Sequence, residues 1–340
     1  MTSLQPWHTS QWRYLHERKR LDQLPHALLV AGPAGVGKLL FAKQFAQALL
    51  CESPATDHTA CGHCRACIQF CAGTHPDFAL ITPEEDAKAI KVDQIRQLIE
   101  TISLASHHGG HRLTLIFPAE AMNNAAANSV LKTLEEPPAQ NIMLLVSHQP
   151  ARLTATIRSR CQRLDMPLPD SQQAEAWLQQ QAAKTGETSS AAGLATLLKL
   201  AYGAPLLALD WLNSDRAKVN GQAFEDFFQV AQHTASPLSV AQAWLKTDQP
   251  MPIQWLYSWL SDLIRLKSDP GAPLTNQDKQ SSLHKLAQQV DLQDLFALLA
   301  SVSEALRGQT TTVNQQLSYE SILMRWASVN PRIKTSKGTP

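Results

Sequence analysis

Four short apolar runs, at residues 26–31, 78–82, 113–117 and 141–147, alternate with stretches in helical rhythm over the first half of the chain. Runs without polar alternation fit strands covered on both faces, so the pattern predicts a three-layered α/β domain built on a parallel sheet. Pro167, Leu168, Pro169 and Asp170 break this rhythm, and beyond them only helices are predicted, punctuated by Gly186, Gly203 to Pro205, Pro237 and the turn residues 268–271. A small three-helix unit is expected first: one helix from Ser171, one over about residues 192–202, and one from Pro205, where proline suits a first helical turn. In the longer helical region that follows, Trp255, Leu256, Trp259, Leu260, Leu263 and Ile264 recur at three- and four-residue spacing. Leu292, Leu295, Leu299, Val302 and Leu306 keep the same rhythm. Such stripes read as a bundle core, with a partner-binding face as the alternative. The division predicted is 1–166, 167–208 and 209–330, with a loose tail at 331–340.

Composition narrows the function classes. With 340 residues, 44% of them hydrophobic and 17% charged, the chain can bury two or three cores. Thirty Lys and Arg against 29 Asp and Glu leave a formal charge of +1, which supplies no global field for coating nucleic acid or a membrane surface. Any DNA contact is expected to be local or shared with partners. The basic group from His16 to Arg20 reads as a solvated helix face, and there is no recognisable motif for sequence-specific DNA reading. No run of eighteen apolar residues occurs and residues 1–20 lack a signal-type stretch, so a cytoplasmic location is expected. Five of the six cysteines fall between Cys51 and Cys71, a metal-site distribution more than a disulfide framework.

After the first apolar run comes Gly32-Pro-Ala-Gly-Val-Gly-Lys38-Leu39, a phosphate-loop pattern that fails at its last position. Gly32, Gly35 and Gly37 would let backbone N–H groups turn around an anion, and Lys38 would place an ammonium on phosphate. Leu39, however, has no hydroxyl for Mg²⁺, and Phe117 and Pro118 stand where a metal-holding Asp would end a strand. Glu120 is read as a solvated helix-start residue. The expectation is no autonomous hydrolysis, and at most weak nucleotide binding through Gly32, Gly35, Gly37 and Lys38.

Cys61, Cys64 and Cys67 form C-x₂-C-x₂-C, with Cys51 upstream as a fourth thiolate. Four thiolates suit a closed, structural zinc site, one that could order an insertion at about 51–71. The competitor is an iron–sulfur cluster, since adding Cys71 gives the C-x₂-C-x₂-C-x₃-C spacing of bacterial ferredoxins, though Ala72 replaces the proline that follows there. His58, His63 and His75 are alternative ligands, read as exposed loop histidines.

Together the phosphate loop, Cys61-Gly-His-Cys64-Arg-Ala-Cys67, Gly73-Thr-His-Pro-Asp77, Asn128-Ser-Val-Leu-Lys-Thr-Leu-Glu-Glu-Pro-Pro138 and Ser159-Arg160-Cys161 resemble the clamp-loader AAA+ family of bacterial DNA polymerase III. The likeness is strong over the first 166 residues and holds only in layout beyond. It implies an α/β P-loop AAA+ domain followed by a small three-helix lid and an all-α collar domain. It also implies zinc on Cys51, Cys61, Cys64 and Cys67, with Cys71 left as a free or buried thiol. In the family an Arg in Ser-Arg-Cys reaches the ATP of a neighbouring subunit, which carries over to Arg160 acting in trans, with Arg158 and Arg163 as solvated neighbours. Active members have an Arg in the last lid helix, where this chain reads Ala201-Tyr-Gly-Ala-Pro-Leu206. The resemblance thus implies a non-hydrolysing scaffold, or stator, with no catalysis of its own, inside a DNA-directed DNA polymerase (nucleotidyltransferase) holoenzyme. Its partners would be the tau/gamma motor subunits and the delta subunit, with the sliding clamp and primer–template DNA reached through the assembly. The rival readings are an autonomous AAA+ ATPase and an iron–sulfur protein.

Overall fold

The computed structural model describes residues 4–85, 87–102, 110–185, 191–214, 216–246, 251–308 and 315–329. Gly186 and the tail at 331–340 lie outside them. The chain divides into two compact units, one of residues 1–177 with 203–207, the other of residues 178–202 with 208–340.

The first unit is built on five parallel strands, β1 (Ala27–Ala31), β2 (Phe78–Ile81), β3 (Arg112–Ile116), β4 (Asn141–Ser147) and β5 (Gln162–Asp165). Their order across the sheet is β2-β3-β4-β1-β5. Leu28 lies opposite Leu144 on β4 and opposite Gln162 on β5, and Ala31 lies opposite Asp165. The four apolar runs are therefore strands. The fifth, an edge strand like β2, reads Gln162-Arg163-Leu164-Asp165 with only Leu164 buried, so no apolar run marks it.

Helices α1 (Thr9–Arg20), α2 (Lys38–Leu50) and α3 (Arg65–Cys71) precede β2, with α4 (Val92–Ile102), α5 (Asn124–Glu135) and α6 (Ala155–Arg160) between the later strands. Alternate strand residues feed two separate cores, as the two-residue period requires. Leu28, Val30, Leu113, Leu115 and Leu144 pack with Trp12 and Leu15 of α1 and Phe41 and Phe45 of α2. Leu29, Ile116, Met143 and Leu145 pack with Ile95, Leu98, Val130, Leu134 and Ile157 of α4 to α6 on the other face. The three-layered α/β arrangement is thus present. Asn123 caps α5 by accepting from Ala126 N at 2.8 Å, and Thr154 does the same for α6 from Ile157 N at 3.4 Å.

Beyond β5 the described residues form helices and no strand: α7 (Ser171–Thr185), α8 (Ala191–Leu200), α9 (Pro205–Leu212), α10 (Arg216–Ala231), α11 (Pro237–Leu245), α12 (Met251–Ser268), α13 (Gln280–Gln289), α14 (Leu292–Gly308) and α15 (Gln315–Val329). In the second unit the aromatic stripe of α12 is core. Trp255, Leu256, Trp259, Leu260 and Leu263 are all buried. Trp259 meets Phe224 edge-on at 5.1 Å, and Phe227 stacks on Trp326 at 4.3 Å, with Trp326 Nε1 donating to the Phe227 carbonyl at 2.9 Å. The fully buried Asp262 accepts from Thr275 N at 3.0 Å and from Asn276 N at 2.8 Å, which fixes the chain after the 268–271 turn. No single helix among the described residues is long and apolar enough to cross a membrane.

Candidate functional site

The phosphate-loop sequence runs from the end of β1 to the start of α2. Gly35 and Gly37 take φ of +75° and +92°, the left-handed region that favours glycine. The space above them is occupied by the chain itself. A Cβ on Gly35 would lie 2.6 Å from Leu207 Cβ, and one on Gly37 would lie 2.8 Å from Leu206 Cδ1. Leu206 N also donates to the Gly35 carbonyl at 3.0 Å, so the first turn of α9 is fastened to the loop.

Lys38 is 2% exposed, and its ammonium is satisfied internally, by the Pro33 carbonyl and by His148 Nδ1 at 2.8 Å. Burial pushes the Lys38 pKa down to about 8, against the pull of Glu120. Burial and the neighbouring Lys38 lower that of His148. Leu39 and Phe117, the residues at the metal-ligand positions, are half-buried against the core on the α2 face. The Phe117 ring meets His148 edge-on at 5.3 Å. Glu120 corrects the sequence reading. It is not a solvated residue but is half-buried, with Oε1 accepting from His148 N at 2.9 Å and Gln149 N at 3.1 Å. Two backbone donors after β4 fix this carboxylate, a long-range role that its local sequence does not encode.

The cysteine group lies between the end of α2 and α3. The sulfurs of Cys51, Cys61, Cys64 and Cys67 all lie within 4.8 Å of one another, and all four are free thiols. Cys51 and Cys64 are 3.9 Å apart, Cys61 and Cys67 4.0 Å apart. Zn–S bonds of about 2.3 Å would set tetrahedral edges of about 3.8 Å, so the donor set fits a four-coordinate metal ion. Backbone N–H groups of Cys61, Cys64 and Cys67 point at the sulfurs of Cys51, Cys61 and Cys64 at 3.3, 3.4 and 3.4 Å. The N–H groups of His63 and Cys64 hold the Cys61 thiol down at about 6, whereas burial raises Cys51 and Cys67.

The ferredoxin spacing needs Cys71, which lies outside this group, exposed, and receives Gln47 Nε2 at 3.4 Å. The three histidines also lie outside it. His58 stacks on His16 at 4.8 Å, and His63 Nδ1 donates to the Cys61 carbonyl at 3.0 Å. His75 accepts from Asp77 N at 3.1 Å and is 5% exposed, so it is a loop histidine but a buried one, against the exposed position expected from sequence. Trp12 Nε1 donates to the Asp57 carbonyl at 3.2 Å and docks the insertion on α1.

Arg160 is the last residue of α6. Its Nη2 pairs with Glu135 Oε1 at 2.5 Å, and its Nη1 donates to the Thr156 carbonyl at 3.1 Å. Arg158 and Arg163 are exposed, the latter paired with Asp165 at 2.7 Å. The sequence gives no local sign of Glu135, because an acidic residue at a helix end has many fates. It is equally silent on the buried pair of Arg112 Nη2 and Asp77 Oδ1, 3.3 Å apart, in which the Asp of the Gly73–Asp77 segment is spent on structure.

The sequence model described as DNA polymerase III, delta subunit, matches residues 7–170, and the one described as DNA polymerase III, delta subunit, C terminal, matches residues 215–328. The DNA polymerase III subunit delta' of Pseudomonas aeruginosa is 34% identical over 338 residues, covering 97% of this chain and 99% of that protein. The chain belongs to the DNA polymerase III delta' family. The Escherichia coli K12 delta' subunit is 31% identical, with 94% of each chain covered. The DNA polymerase III subunit tau of Bacillus subtilis is 36% identical over 147 residues, which are 43% of this chain and 25% of that one. Among solved structures, a DNA polymerase III gamma subunit-related protein from Thermotoga maritima is 14% identical, covers 93% of this chain and 99% of that one, and has a TM-score of 0.42. The matched span at 7–170 contains the phosphate loop, all six cysteines and Arg160.

Proposed function

We propose that this chain is a clamp-loader subunit of a bacterial DNA polymerase III holoenzyme, a non-hydrolysing stator that supplies Arg160 to the ATP held by a neighbouring subunit. The observation that carries this reading is the covered phosphate loop. Leu206 and Leu207 sit on its glycines, and Lys38 has its partners within the chain. Leu39 and Phe117 offer packing where Mg²⁺ would need oxygen ligands. Arg160 keeps a planar, permanently charged guanidinium at a helix end, one-third exposed, chemistry suited to bridging phosphate oxygens as charge develops in phosphoryl transfer.

In this reading the chain works in the cytoplasm with tau/gamma motor subunits and a delta subunit, and meets the sliding clamp and primer–template DNA through that assembly. Residues 1–166 form the P-loop-like domain, 167–208 a lid, and 209–330 the collar that joins the subunits. Cys51, Cys61, Cys64 and Cys67 hold a structural zinc. When bound, the metal cross-links the 51–71 insertion, and four thiolates leave it no open position for catalysis.

The test has two parts. MgATP binding and phosphate release are measured on the isolated chain, with Lys38→Ala as control, and no turnover is expected. DNA-stimulated ATPase is then measured on assemblies carrying Arg160→Ala, where a loss on the order of 10³-fold at the affected site is expected from arginine-finger chemistry. Turnover by the isolated chain that vanishes in Lys38→Ala would make it an autonomous motor. Wild-type ATPase with Arg160→Ala would remove the trans role.

A further inference from the structure

Two of the sequence segments singled out above meet in space. Glu135 is the last residue of α5, just before Glu136, Pro137 and Pro138, and Arg160 is the last residue of α6. The two helices share one core, through Val130 and Leu134 on α5 and Ile157 on α6. Their ends are thereby held side by side, and Glu135 Oε1 reaches Arg160 Nη2 at 2.5 Å. From the other side the Thr156 carbonyl, one turn earlier in α6, accepts from Arg160 Nη1 at 3.1 Å.

We propose that Glu135 is a positioning residue for Arg160. A guanidinium carries five N–H donors in a rigid plane. The carboxylate and the carbonyl engage one donor on each terminal nitrogen, which leaves Nε–H and the second hydrogen of each Nη for phosphate oxygens. The side chain is gripped at its tip, by groups anchored to helix ends, and it stays one-third exposed. Ion pairs this exposed add little to stability. Their effect lies in orientation. An arginine with four free torsions that must find a transition state in a neighbouring subunit gains from having its plane set in advance. The proposal rests on the reading that Arg160 acts in trans.

The test uses the reconstituted assembly, with this subunit carrying Glu135→Ala, Glu135→Gln, Arg160→Ala, or Glu135→Ala with Arg160→Ala. DNA-stimulated kcat and KM for ATP are measured, and thermal melting of the subunit is followed alongside. Glu135→Ala is expected to lower kcat about 5- to 20-fold with KM and Tm little changed. Glu135→Gln, which keeps an acceptor oxygen, recovers most of that loss. In the Arg160→Ala background, Glu135→Ala has no further effect. Glu136→Ala, which alters the neighbouring carboxylate of the same run, serves as the charge control and leaves kcat in place.

A wild-type kcat for Glu135→Ala beside an impaired Arg160→Ala would overturn the positioning role and leave the trans role standing. So would an additional loss in the double variant. Wild-type kcat for Arg160→Ala would overturn the trans reading and this proposal with it.

Discussion

Lys38 Nζ lies 2.8 Å from His148 Nδ1, so the lysine that a nucleotide loop would offer to phosphate is engaged by the first residue after β4. Glu120 accepts from the backbone N–H of that same His148, at 2.9 Å. Lysine, histidine and glutamate are thus linked to one another at the carboxyl end of the sheet, where open α/β sheets usually bind their ligands.

Restoring the missing hydroxyl is therefore not expected to restore activity. Leu39→Thr supplies one Mg²⁺ ligand but leaves Phe117 in place and Leu206 and Leu207 on the loop. Phosphate release by the isolated variant should stay at the background of the parent chain, and turnover that appears with this single change would show that the loop opens readily.

The cysteine group predicts a metal content and a stability change. The purified chain should carry one zinc per molecule, little iron, and no colour. Cys61→Ser or chelation should lower the Tm of the first unit by about 10 °C or more, because a structural metal contributes folding free energy directly. Calorimetry with elemental analysis decides this, and a brown, iron-bearing protein would contradict it.

The pair of Asp77 and Arg112 is buried, at 1% and 5% exposure. Asp77→Ala takes the carboxylate from a buried guanidinium that keeps the Thr101 carbonyl, and should cost about 3–5 kcal/mol in urea unfolding, whereas Asp77→Leu with Arg112→Met should regain most of that loss. A small effect of the single change would mean that the Thr101 carbonyl and the other groups around Arg112 suffice for it.

Two histidines predict an acid-side loss of stability. Burial pushes His8 down to about 4, and burial with the nearby His58 and Lys19 does the same for His16, from an ordinary value of 6.5. Between pH 6.5 and 4 the unfolded chain binds protons that the folded chain refuses, so stability is full above that window and falls through it. The expected loss is on the order of 2 kcal/mol or more. Denaturant titrations across this range should show it, with a shallower fall in His8→Phe and His16→Phe.

What the sequence makes legible follows from range. The three central strands β1, β3 and β4 announce themselves because each buries consecutive apolar residues, β2 because its edge position still keeps the apolar run Phe78 to Ile81, and the α12 stripe because core helices keep a 3.6-residue period. The cysteine group is readable because its sulfurs are gathered by short loops and by the first turn of α3. The features that escape depend on distant chain segments. β5 has only Leu164 to bury, and Glu120 is held by donors on the far side of β4. The carboxylate that pairs with Arg160 comes from another helix and the guanidinium that pairs with Asp77 from strand β3, and no spacing rule joins them.

The registers of β1 and β5 carry one more consequence. With Leu28 opposite Gln162 and Ala31 opposite Asp165, the two strands start and finish together. Arg160 therefore stands at the edge where strands begin, and the glycine loop at the edge where β1 finishes. The first unit is directional, with the Arg160 guanidinium at one edge of its sheet and the covered glycine loop at the other. Head-to-tail contacts between such bodies propagate one way only. If Arg160 acts in trans as proposed, a member whose own loop is covered reaches a neighbour but offers no site for another such arginine, so in a row of related subunits its place would be at the end.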